Sequence, residues 1–146
     1  MEVNNEVKQI LLIRKDLKNT EGHKIRTGKV VAQSCHASEA WVFEMMSITP
    51  AGIMGSKGKY VGTIRGITEG IKSWIEQGHK KIALAVHSED DLVKKYEEAI
   101  EAGLMAHIIV DAGLTEFGGI ETKTAVAIGP GNAEEIDKIT GDLKPL

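Results

Sequence analysis

Lys29, Gln33 and His36 stand at i, i+4 and i+7 of the segment Thr27-Gly28-Lys29-Val30-Val31-Ala32-Gln33-Ser34-Cys35-His36-Ala37. On a helix that spacing sets all three on one face. Thr27 is placed to cap the helix start, where free N–H groups and the dipole attract anions. Asp111 directly follows an apolar run over 105–110, the position at which ligand sites of open α/β sheets gather. Thr115 comes four residues later, and Thr124 begins a further apolar run, Thr124-Ala125-Val126-Ala127-Ile128. If the two runs pair as strands, a carboxylate, two hydroxyls and the Lys29 ammonium can bind and orient a water. Taken alone, a strand-end aspartate also serves as an ordinary turn residue.

Other chemistries fit the residues poorly. His23, His36, His79, His87 and His107 are scattered without an i,i+4 pair, and one cysteine does not make a zinc site. Gly58-Lys59 lacks the Ser or Thr that closes a phosphate-binding loop of the Walker type. No metal or organic cofactor is expected. Cys35 and His36 are adjacent, so on a helix their side chains diverge by about 100° and do not form a nucleophile pair. Cys35 is expected to pack inward with Val30, Val31, Ala32 and Ala37.

The elements that must carry these groups follow from hydrophobic spacing. Val7-Lys8-Gln9-Ile10-Leu11-Leu12-Ile13-Arg14 reads as a buried strand, followed by a polar loop over 18–27 and a helix running to about Met46. Residues 47–66 carry Pro50 and five glycines, which exclude a long helix and predict a basic, irregular loop with Lys57, Lys59 and Arg65. A second helix spans 68–77 and a second strand 81–86. A third helix follows, opened by Ser88 with Asp91 three residues on. The runs 105–110 and 124–128 are strands, and Asn132 with Glu135 opens a last helix. The order β-α-α-β-α-β-β-α predicts an α/β single domain over 1–146: a four-stranded mixed sheet covered by helices.

Composition sets outer limits. The 146 residues suit one domain, with 42% hydrophobic and 27% charged residues, and the net charge is −3. No apolar run reaches the length of a membrane span, and the start lacks the pattern of a signal peptide. The lone cysteine suits a reducing, cytoplasmic setting. Between Lys8 and Lys29 the charge is strongly basic, whereas 89–101 is acidic.

Taken together, several motifs in fixed order resemble the type 2 peptidyl-tRNA hydrolases over most of the chain. They are Ile13-Arg14-Lys15-Asp16-Leu17, the Gly28 to Ala37 segment, Val110-Asp111-Ala112-Gly113-Leu114-Thr115, Thr122-Lys123-Thr124, Ala127-Ile128-Gly129-Pro130 and the end from Ile136 to Lys144. The resemblance implies hydrolysis of the ester between a peptide and the 3′ end of tRNA, which recycles the tRNA. It assigns catalysis to Lys29, Asp111, Thr115 and Thr124, and further site positions to Gln33 and His36. Peptidyl-tRNA is the expected partner, with no membrane association; monomer and homodimer are both open. Segments near 19–27 and 47–66 read as insertions, and Leu114 stands where arginine is common. Lys24 and Arg26 in the first of these, with Lys57, Lys59 and Arg65 in the second, are expected to meet tRNA phosphates. The alternative is a non-catalytic RNA-binding module on the same fold.

Overall fold

Val7–Arg14 forms β1, whose side chains are buried on both faces, as expected for a central strand flanked by strands and covered by helices. In the computed structural model, which describes residues 6–52 and 57–146, β1 pairs in parallel with β4 (Lys81–Val86). On its other side it pairs antiparallel with β6 (Thr122–Asn132), which in turn pairs antiparallel with β5 (Ala106–Asp111). The sheet order β4-β1-β6-β5 is the mixed four-stranded arrangement that the sequence predicts. One face packs Ile10, Leu12, Val126 and Ile128 against α3 (Glu89–Glu101) and α4 (Ala133–Thr140). The other carries Leu11, Ile13, Ala125 and Ala127 beneath α1 (Thr27–Met45). A third cluster joins Val7 and Trp41 to Ile71 and Trp74 of α2 (Glu69–Glu76).

The caps of α3 and α4 follow the sequence, while Thr68, expected inside the second helix, is the N-cap of α2. Thr68, Ser88 and Asn132 accept hydrogen bonds from the backbone N–H groups of Ile71, Asp91 and Glu135. The first helix differs. Thr27 is already its first helical residue, and the N-cap is Arg26, whose side chain makes no capping bond. The inward packing expected of α1 also holds only in part. Val30 and Ala37 face the sheet, while Val31, Ala32 and Cys35 are exposed. Gln33 takes an inward position instead, because it has buried hydrogen-bond partners in the sheet and loop beneath it.

The expected irregular loop over 47–66 is corrected as well. Met46–Pro50 (β2) and Tyr60–Ile64 (β3) pair antiparallel as a two-stranded sheet of their own. Alternation explains it: Met46, Ile48 and Pro50 lie opposite Ile64, Gly62 and Tyr60 on one face, and Gly58 falls in a turn just before the second strand. The described glycines of this segment thus punctuate a hairpin rather than an irregular loop, and Gly55 lies outside the described residues.

Candidate active site

Three elements meet where β1 and β5 end and α1 begins. A polar interlock fixes α1 to the sheet. Ser38 Oγ donates to Gln9 Oε1 at 2.6 Å, and Gln9 Nε2 donates to the Ser38 carbonyl at 3.0 Å. Arg14, at the end of β1, grips Asp16 through Nε and Nη2 and the Lys123 carbonyl through Nη1. That last bond ties the start of β6, and so Thr124, to the same corner.

Asp111 lies at the centre. Its Oδ2 receives Lys29 Nζ at 2.6 Å and Gln33 Nε2 at 2.5 Å, while Oδ1 receives the Gly113 N–H at 2.6 Å. Lys29 Nζ also donates to Thr115 Oγ1 at 3.1 Å and lies 5.8 Å from the centre of the Phe117 ring. The Lys29 ammonium, assisted by the Gly113 and Gln33 donors, holds the Asp111 carboxyl below its ordinary 3.8 despite burial. Gly113 has a reason to be glycine. Its φ is +78°, and a Cβ there would sit 2.1 Å from the Ile120 carbonyl oxygen.

The donors and acceptors have fixed senses. An ionised carboxylate only accepts, so the Gln33 NH₂ must face Asp111 and its carbonyl must face Thr124. Thr124 therefore donates its one proton to Gln33 Oε1, at 2.8 Å. Thr115 accepts from Lys29, which leaves its own proton free. The two threonines also differ in access: Thr115 is exposed, whereas Thr124 is 2% exposed behind Gln33. A cavity of about 20 Å³ borders Lys29, Gln33 and Thr124, room for a single water.

Lys29, Asp111, Thr115, Thr124 and Gln33 are thus in one hydrogen-bonded group. His36 is not. It lies on the solvent side of α1 with Glu39 as its neighbour at 3.7 Å. The shared face expected for Lys29, Gln33 and His36 fails because Gln33 turns inward. Arg26 donates through Nε to the buried Glu116 at 2.8 Å, and Lys24 borders a larger cavity on the far side of Ile25. Sequence reasoning missed Glu116, Phe117 and the bridging role of Gln33. A glutamine one helical turn after Lys29 was the only local signal, and nothing local links Arg26 to a residue ninety positions away.

Residues 7–146 match the family described as Peptidyl-tRNA hydrolase PTH2. The chain belongs to that family. Its relatives include the peptidyl-tRNA hydrolase of Sulfolobus acidocaldarius, 39% identical over 140 residues that cover 96% of this chain and all of that one. The peptidyl-tRNA hydrolase of Methanothermobacter thermautotrophicus is 35% identical over 96% of this chain and all of its own. That of Staphylothermus marinus is 37% identical over 98% of both. Among the described residues of this PTH2 member, no helix is long and apolar enough to cross a membrane.

Proposed function

We propose that this chain hydrolyses peptidyl-tRNA at the ester joining the peptide to the 3′ end of the tRNA, in the cytoplasm where translation strands such molecules. The observation that carries the reading is the contact of Asp111 with both Lys29 and Gln33, at the mouth of the corner described, in a PTH2 chain. The binding-only alternative draws no specific support from this geometry.

In this mechanism water is the nucleophile and Asp111 orients it. With its pKa held down, the carboxylate is a weak base, so positioning outweighs proton removal until the transition state. Lys29 has three N–H donors, two of them engaged by Asp111 and Thr115; the third is available to the developing oxyanion. Thr115, exposed and with a free proton, donates to the ester oxygens. Thr124 acts as a positioning residue: its proton locks the Gln33 amide, which in turn fixes the Asp111 carboxylate.

The deciding assay follows release of tRNA from peptidyl-tRNA, with aminoacyl-tRNA bearing a free amino group as the comparison. Turnover of peptidyl-tRNA is expected. Tight binding of peptidyl-tRNA without turnover by folded protein would replace the enzyme reading with the binding module.

A further inference from the structure

A second, larger cavity adjoins the reaction corner. Its volume is about 280 Å³, and it lies between the end of β1, the loop that follows and the first turn of α1. Ile13, Leu17, Ile25 and Val30 line it, and the same four residues border the small cavity beside Lys29, Gln33 and Thr124. A molecule held at the reacting corner therefore has this cavity as its immediate neighbour.

The lining is apolar with a charged rim. Lys15 and Lys24 are both exposed at it, and neither is in an ion pair within the described residues. They contrast with the nearby cations: Arg14 is spent on Asp16 and the Lys123 carbonyl, Arg26 donates to Glu116, and Lys29 is paired with Asp111. Arg14 still borders the cavity as an immobilised planar guanidinium. Two unpaired ammonium groups over an aliphatic floor suit a ligand with an apolar ring and an adjacent anion. A nucleotide meets that description, whereas the neutral backbone of an amino-blocked peptide offers the lysines carbonyl acceptors but no anion. Unpaired nucleic-acid ends are read by laying splayed bases on aromatic or guanidinium planes while cations follow the backbone, and in this cavity the Arg14 guanidinium is the planar surface. A duplex is too wide for a recess that is slightly below the size of a drug pocket.

We infer that this cavity takes the unpaired nucleotide next to the esterified 3′ residue, its base on the Ile13–Leu17–Ile25–Val30 floor and its phosphate between Lys15 and Lys24. The inference rests on the peptidyl-tRNA reading and adds a nucleotide subsite to it. Seating that nucleotide would hold the ester beside Lys29 and Thr115, because the two cavities share their lining.

The test compares three substrates: intact peptidyl-tRNA, an N-acetylaminoacyl trinucleotide, and N-acetylaminoacyl adenosine without a phosphate. Wild-type protein is expected to prefer the trinucleotide to the adenosine ester. In the double variant K15A/K24A that preference in kcat/KM should fall about tenfold, through KM, and the salt slope for the trinucleotide should drop by roughly 0.7, for the one phosphate the two lysines share. K15R/K24R should retain the preference, and Leu17→Trp, which fills the floor, should reduce it with both lysines present. Equal losses on both small substrates would overturn the assignment, since the cavity would then serve the peptide or the chemistry. A raised KM confined to intact tRNA would also overturn it, placing the lysines on the paired stem. Failure of the hydrolase reading itself would look different: wild type would turn over none of the three. Anisotropy with the fluorescent, unesterified trinucleotide then decides, because equal affinity for wild type and K15A/K24A rejects the subsite and weaker binding by the variant upholds it.

Discussion

The two ends of α1 are built on opposite terms. Its nineteen residues span about 28 Å, so Lys29 and the β2–β3 hairpin lie at opposite ends of one rod. At the first end, Lys29, Gln33, Asp111 and Thr124 lock one another with charge-assisted and buried hydrogen bonds. At the far end, the hairpin is a sheet of two strands among the described residues, and Ile48 and Tyr60 stand 66% exposed. Isolated hairpins are marginal in water, because one pair of strands buries little apolar surface. Interlocking hydrogen bonds are concentrated where a reaction needs fixed geometry, whereas the hairpin leaves its large apolar side chains open to solvent.

The sharpest way to break this contrast is at the locked end. Asp111→Ala and Lys29→Ala should each lower kcat by ~10²-fold or more, with circular dichroism and thermal unfolding reporting an intact fold. Near-normal turnover by either folded variant would remove the proposed centre.

The next prediction compares two buried amides of similar design. Gln9 and Gln33 each accept a hydroxyl proton and each donate to an oxygen, but only Gln33 touches the Asp111 carboxylate. Gln33→Leu should cut kcat about tenfold or more and alter its pH profile, because the carboxylate loses a donor. Gln9→Leu should leave kcat in place and cost about 1–3 kcal/mol of stability, measured by denaturant unfolding, since the Ser38 hydroxyl loses its acceptor. Matching kinetic losses would mean that both amides are merely structural.

Protonation offers a gentler probe. Asp111 has its folded pKa lowered, chiefly by Lys29, so its stabilising contribution is present above its ordinary 3.8 and is lost as pH falls through the lower folded value. The acid limb of kcat/KM should accordingly lie below that ordinary value. In Lys29→Met, carboxyl NMR titration should show Asp111 moved upward, as burial is left with less opposition. An unmoved titration would mean that the ion pair does not control this group.

The smallest effects belong to the exposed surface. Ile48→Ser in the hairpin should change unfolding stability by less than about 0.5 kcal/mol. Cys35→Ser should leave turnover largely intact, as expected of an exposed thiol outside the hydrogen-bonded group. A selective loss of activity in Cys35→Ser would bring the thiol back into the chemistry.

Much of the fold and part of the site can be read along the chain. Continuous apolar runs mark β1 and β4 as buried strands, and Ser88 and Asn132 announce their helices, because these signals are local. The hairpin was legible in the alternation of 46–50 and 60–64, yet its glycines obscured it. The inward side of α1 was not, since Val31 and Cys35 are apolar but exposed, while Gln33 is polar and buried.

The residue types at the corner can be read directly along the chain: a lysine and glutamine one turn apart, an aspartate ending a strand, and threonines on either side of the following loop. The sequence also specifies the mixed sheet that draws them together, through the hydrophobic pattern of its strands. Only the tertiary structure decided which hydroxyl is open to solvent, which way the Gln33 amide points, and that Arg26 is held by Glu116 while Lys15 and Lys24 have no ion-pair partner among the described residues. Those outcomes depend on donors and acceptors from distant segments meeting in a nearly dry corner. There each buried polar atom must find a partner or bear the cost of losing water, and chain order does not specify which partner is within reach.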